Sequence, residues 1–137
     1  MNKHAAGPFD VKVDPWPVAL EDDGEGAARG RMSIDKRYHG DLEAISKGEM
    51  LTAMTTTPGS AGYVAIEKVS GTLHGRKGTF ALQHNATMTR GEPYLNIIVV
   101  PDSGTGALAG LTGTMKIIIA EGGKHFYEFD YELSENN

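Results

Sequence analysis

The stretch Tyr63-Val64-Ala65-Ile66-Glu67-Lys68-Val69-Ser70-Gly71-Thr72-Leu73-His74-Gly75-Arg76-Lys77-Gly78-Thr79-Phe80-Ala81-Leu82-Gln83-His84 decides the fold. β-Branched and aromatic residues crowd both halves, and Leu73-His74-Gly75-Arg76 lies between them as the turn of a β-hairpin whose second arm runs on to Thr89. With a two-residue turn at His74-Gly75, Ala65 opposes His84 and Glu67 opposes Leu82. A four-residue turn shifts the pairing and sets Glu67 opposite His84. Either register leaves Tyr63, Glu67 and His84 on one face, because side chains alternate with a period of two. That face also carries Val69, Phe80 and Leu82, so it points inward.

The alternation recurs outward from the hairpin. Phe9, Val11 and Val13 alternate with Asp10, Lys12 and Asp14, and Pro15 and Pro17 around Trp16 then stop the strand or place it at an edge. Leu20 to Gly26, with Glu21, Asp22, Asp23 and Glu25, reads as an exposed acidic turn. From about Ala27 to Tyr38 a second strand puts Met32, Ile34 and Tyr38 on one face and Arg29, Arg31, Ser33, Asp35 and Arg37 on the other. Leu42 to Lys47 has helical propensity, but Gly40 and Gly48 bracket a length too short for a stable helix, so it reads as strand. Met50, Thr52, Met54 and Thr56 continue as strand to a turn at Pro58-Gly59-Ser60. Leu95 to Val100, Thr114 to Ala120 and His125 to Leu133 complete about eight strands. In the last of them Tyr127, Phe129, Tyr131 and Leu133 share a face.

Connections this short require antiparallel neighbours. The expected fold is all-β, an eight-stranded antiparallel up-and-down barrel with little or no helix. A two-sheet sandwich is the alternative. At about eight strands a closed barrel is either filled by side chains or holds one small ligand.

The 137 residues suit one β-barrel domain, 1–137, with an ordered core over about 8–134. With 39% hydrophobic and 23% charged residues the chain can bury a core, and its 18 glycines are dispersed as turns and bulges rather than gathered in a flexible tract. A net charge of -5 and the absence of a basic, aromatic-studded stripe argue against a nucleic-acid partner. Cysteine is absent, which removes disulfides and thiolate chemistry. Met1 to Pro8 holds no apolar stretch of signal-peptide kind and no run reaches membrane-spanning length, so no membrane partner and a cytoplasmic location are expected.

The inward face of the hairpin supplies the candidate chemistry. A Glu67 carboxyl among apolar groups has its pKa raised, and His84 beside it orients it or exchanges a proton with it, which is the composition of a small general acid/base site. Tyr63, Phe80 and Leu82 are the candidate ligand-lining residues of the same face. The competing reading is a satisfied polar pair that fixes strand register. Other motifs carry less. Ser103-Gly104-Thr105-Gly106, with Gly110 and Gly113, lacks the lysine and helix of a phosphate loop and reads as a barrel corner or wide turn. The histidines His4, His39, His74, His84 and His125 show no ligand spacing, so no metal is expected, and no cofactor motif appears. No G-x-S-x-G is present to carry a serine triad. Methionines such as Met32, Met50, Met54, Met88 and Met115 fill cores and also line adaptable pockets. Ile97-Ile98-Val99-Val100 and Ile117-Ile118-Ile119 are apolar on both faces, which points to a covered outer surface or to a homo-oligomer, a dimer first, through these strands.

With these residues in view, the chain resembles a known family. Gly62 to Glu67 and Gly71 to His84 look like its central hairpin, and Pro101-Asp102-Ser103-Gly104-Thr105-Gly106-Ala107-Leu108-Ala109-Gly110-Leu111-Thr112-Gly113 looks like its signature loop. It is a bacterial group of small proteins of unknown function whose fold is similar to the allene oxide cyclase barrel, and the likeness runs from Phe9 to Leu133. It implies a self-associating eight-stranded barrel with a cavity, and no activity. Three functions stay open: binding of a small, mostly apolar molecule oriented by Glu67, His84 and Tyr63; cofactor-free isomerase, cyclase or lyase chemistry with Glu67 as base or acid; and a filled barrel that serves only subunit or protein contacts.

Overall fold

The central hairpin closes on a two-residue turn in which His74 and Gly75 adopt φ of 47° and 81°. Both lie in the left-handed region that a type I′ turn needs to match the twist of its strands. The register follows: Ala65 pairs with His84 and Glu67 with Leu82. The protein is described by a computed structural model covering residues 2–22 and 24–133. Asp23 of the acidic turn and position 134 at the end of the expected core lie outside the described residues.

From this hairpin the chain winds both ways as a meander: β1 (Asn2–Trp16), β2 (Ala28–Tyr38), β3 (Leu42–Met54), β4 (Ala61–Leu73), β5 (Arg76–Thr89), β6 (Glu92–Val99), β7 (Thr112–Ile119) and β8 (His125–Glu132). Each strand pairs antiparallel with the next, and β1 pairs with β8, so the sheet is a closed eight-stranded barrel. Closure rests on the length of β1. Asn2 to Phe9 pairs with β8, and Phe9 to Trp16 pairs with β2. The hydrophobic alternation begins only at Phe9, since Ala5, Ala6 and Gly7 carry little of that signal. Gly7 is required where it stands: a Cβ there would lie 2.0 Å from the carbonyl oxygen of His39.

The segment with helical propensity is strand throughout. β3 runs unbroken through Gly48, because Leu42, Ala44 and Ser46 are buried on its inward face and each residue has a partner in β2 or β4. Tertiary pairing overrides local preference here. The Pro101–Gly113 loop folds across one end of the barrel. A single 3-10 turn at Gly106–Leu108 drives Leu108 and Leu111 into the core, and Ser103 Oγ and Thr105 Oγ1 accept the Ala81 and Thr79 amides. The loop thus plugs this end of the barrel.

The plugged half is densely packed. Phe80 stacks on Phe129, Tyr38 meets Tyr127 edge-on, and Val69, Leu42 and Leu73 fill the gaps. The Tyr127 hydroxyl receives the Leu42 amide and donates to the His39 carbonyl, tying β8 to the β2–β3 turn. The other half is looser. Inward-facing Met32, Met50 and Tyr63 are half-buried, and Val13 and Leu95 are exposed. At this end β6 and β7 also part, their pairing confined to Ile97 with Met115 and Ile98 with Thr114.

The outer surface is two-sided. Outward positions of β1, β2 and β8 carry Asp10, Lys12, Arg37, Asp130 and Glu132, whereas those of β5 and β6 from Thr79 to Thr87 and from Tyr94 to Ile98 are uncharged. Of the doubly apolar strands, Ile97, Val99 and Ile117 face in and Ile98 and Ile118 face out. Further exposed apolar side chains stand on β3 and β4, namely Ile45, Leu51, Val64 and Ile66. Among the described residues no helix is long and apolar enough to cross a membrane.

Candidate functional site

Midway along the barrel, four side chains from three strands converge on Glu67 of β4. Tyr38 (β2) and Ser46 (β3) donate their hydroxyls to Oε1 at 2.5 and 2.8 Å. Lys36 (β2) donates its ammonium to Oε2 at 2.8 Å, and His84 Nε2 (β5) lies 2.6 Å from the same oxygen. Lys36, Ser46, Glu67 and His84 are all buried. Lys36 also sits 5.1 Å above the Phe9 ring, so its charge is met on a second side.

Local sequence explains the convergence. Lys36 falls in the inward series Ile34, Lys36, Tyr38, and Ser46 in the series Leu42, Ala44, Ser46. Gly48 stands directly opposite Glu67, where a Cβ would lie 2.8 Å from the Glu67 Cα and 2.3 Å from the Ile66 carbonyl oxygen. The bare glycine lets the two strands approach closely at the level of the carboxylate.

Burial pushes the Glu67 carboxyl up, but the hydrogen bond from His84 and the Lys36 charge outweigh it and hold the group at about 2, below its ordinary 4.5. The expectation of a raised carboxyl pKa is therefore corrected. It took account of the apolar neighbours on the hairpin and had no cation to place beside them. Burial and then the Glu67 charge push the Tyr38 phenol well above its usual range, and the same two causes raise that of Tyr63.

An ionised carboxylate only accepts, so the proton between Glu67 and His84 belongs to Nε2. Both Glu67 oxygens then hold two donors each, which saturates the group. His84 Nδ1 is left over: it is buried, and it has no hydrogen-bond partner among the described residues. The acid/base capacity of the cluster thus rests on Nδ1 of the histidine and not on Glu67.

The other expected residues separate by depth. Tyr63 is half-buried on the looser side, its ring 6.3 Å from that of His84. Phe80 and Leu82 lie in the packed half, inside the aromatic core. Sequence reasoning missed Lys36, Tyr38 and Ser46 as site residues. For Lys36 and Tyr38 the signal was the period-two parity they share with Ile34, and for Ser46 it lay in the segment of ambiguous propensity. Among the described residues no group of three or more histidine or acidic side chains is placed to hold a metal ion.

The sequence pattern of a family described as "Protein of unknown function (DUF3224)" matches residues 5–131. A protein of unknown function from that family in Shewanella oneidensis MR-1, known from a crystal structure at 1.84 Å, is 51% identical, with 98% of each chain covered and a TM-score of 0.91. No curated protein matches the chain.

Proposed function

Because the chain belongs to the DUF3224 family of proteins of unknown function, its role has to be argued from its own barrel, and we propose that the interior binds a small, mostly apolar molecule whose polar group meets His84. The observation that carries this reading is the buried, unpartnered Nδ1 of His84. A buried polar atom without a partner costs about 1–3 kcal/mol, and a ligand that supplies the missing hydrogen bond removes that cost. Tyr63, its ring 6.3 Å from that of His84, and the half-buried, inward-facing Met32 and Met50 on the same register row as His84 give this half of the barrel the adaptable side chains a binding site uses. Leu82 lies two residue pairs below, opposite Glu67.

A second reading is favoured by the 2.6 Å contact of His84 with Glu67. A carboxylate that fixes the tautomer of a histidine leaves the other nitrogen oriented as a base, so cofactor-free isomerase or lyase chemistry would run through His84. The uncharged outer face of β5 and β6, with Val64 and Ile66 beside it, supports self-association as a separate proposal, since an isologous interface juxtaposes a patch with itself and tolerates little net charge.

Native mass spectrometry of the protein from its own host, followed by denaturation, tests these readings together. A reproducible small molecule that is released on denaturation and diminished in His84→Phe supports interior binding. An apo mass unchanged across preparations counts against it, and the assembly mass reports the oligomer directly.

A further inference from the structure

On the reading that the barrel binds a small molecule, we infer that the site selects an uncharged hydrogen-bond donor, a hydroxyl or N–H on an apolar frame, and rejects a carboxylate of the same size. Glu67 receives Tyr38, Ser46, Lys36 and His84, so its oxygens offer nothing further. The Lys36 ammonium is engaged by Glu67 and faces the rings of Phe9 and Tyr38. What remains is His84 Nδ1, and with Nε2–H committed to a carboxylate, Nδ1 of the neutral ring is a bare acceptor.

The charges around the ring support the same choice. Facing His84 are Glu67 and the Tyr63 phenol from β4, and Lys36 and the Tyr38 phenol from β2, while β6 presents Ile97. The carboxylate and the ammonium cancel, so the empty cluster is neutral as long as the ring is neutral. An incoming carboxylate would bring an unpaired charge into a buried site with no uncommitted cation, and would set its lone pairs against that of Nδ1. An O–H or N–H donor brings no charge and completes the hydrogen bonding. No covalent step is involved.

The test uses three probes of one size: phenol, which carries the donor; toluene, which lacks it; and benzoate, which is anionic. Each is titrated into protein labelled with nitrogen-15 at histidine and with carbon-13 at methionine methyl groups, at a pH where the nitrogen-15 shifts of His84 report a neutral ring. Phenol is expected to bind about tenfold more tightly than toluene and to move the Nδ1 resonance of His84, while benzoate binds at least tenfold more weakly than phenol. In His84→Phe the preference for phenol over toluene is expected to vanish while both still bind. If that variant does not fold, the wild-type ratio and the Nδ1 shift decide alone. Equal binding of phenol and toluene, or tighter binding of benzoate, overturns the inference and leaves interior binding standing. If none of the three moves a Met32 or Met50 methyl signal, interior binding fails and the inference fails with it.

Discussion

Lys36 Nζ lies 2.8 Å from Glu67 Oε2, with the two side chains 4% and 0% exposed. Lysine and glutamate are seldom fully buried unless paired, and each here justifies the burial of the other. Removing one member strands the remaining charge, which makes the pair strongly coupled even if the intact pair adds little net stability.

Lys36→Met is therefore expected to cost about 3–5 kcal/mol, the usual consequence of leaving one charge of a buried pair uncompensated. Combining it with Glu67→Gln is expected to recover much of that loss, since the double variant buries no charge and the amide oxygen still accepts from Tyr38 and Ser46. Urea unfolding of the wild type, the two single variants and the double variant measures the coupling. Additive losses would show that the two residues act independently.

The depressed carboxyl pKa of Glu67 sets a pH dependence with a definite sign. A group at about 2 in the folded protein and at its ordinary 4.5 when unfolded binds its proton first in the unfolded chain. Its contribution is present in full above about pH 4.5 and fades as pH falls toward about 2. Converted at 1.36 kcal/mol per pKa unit, this amounts to about 3 kcal/mol. The unfolding free energy of the wild type is expected to fall more steeply through this window than that of Glu67→Gln. The other carboxyls cancel in the comparison, so parallel slopes would show that Glu67 does not carry the effect.

The expected effects all concern residues of unequal legibility. The barrel was readable because its strands alternate strongly, and the parity of the hairpin placed Glu67, His84 and Tyr63 on one face without knowledge of the turn. The register itself was not readable, because the choice depends on whether His74 enters the left-handed region. The cluster was half readable. Lys36 interrupts an otherwise apolar series, and a lysine read locally looks like a solvent-facing residue. Its role depends on Glu67, 31 positions away, which the pairing of β2 with β3 and of β3 with β4 brings near. The direction of the Glu67 shift was inverted for the same reason.

Gly48 tests how tightly the strands close beneath the carboxylate. Because a Cβ would lie 2.3 Å from a backbone oxygen and 2.8 Å from the Glu67 Cα, Gly48→Ala cannot be absorbed by turning a side chain. Overpacking of this kind costs about 1–3 kcal/mol. The variant is expected to fall in that range by urea unfolding, and the His84 Nε2–H proton, held downfield by its 2.6 Å contact with Glu67, is expected to shift upfield as the carboxylate is displaced. An Ala variant as stable as the wild type would mean that β3 and β4 can separate locally without loss.

The parting of β6 and β7 gives the last expectation. Strands β3, β4 and β5 are paired along most of their length on both sides, whereas β6 and β7 meet at two residue pairs only. Backbone amides on the facing edges of Glu92–Asn96 and Lys116–Ile119 thus lack the ladder that slows exchange elsewhere, and few bonds must break for the edges to move apart. Native-state hydrogen exchange is expected to find these edges the fastest among the strand residues, with the β4–β5 hairpin slowest. The location matters for binding, because Ile97 pairs on one side with Met115 and on the other with His84. An opening that separates Ile97 from Met115 would expose the level of the barrel where Nδ1 waits for a partner. Phenol bound at His84 is then expected to slow exchange at Ile97 and Met115 more than in the hairpin. Protection gained uniformly around the barrel would instead mean that the ligand stabilises the fold as a whole and that this seam is no special route to the interior.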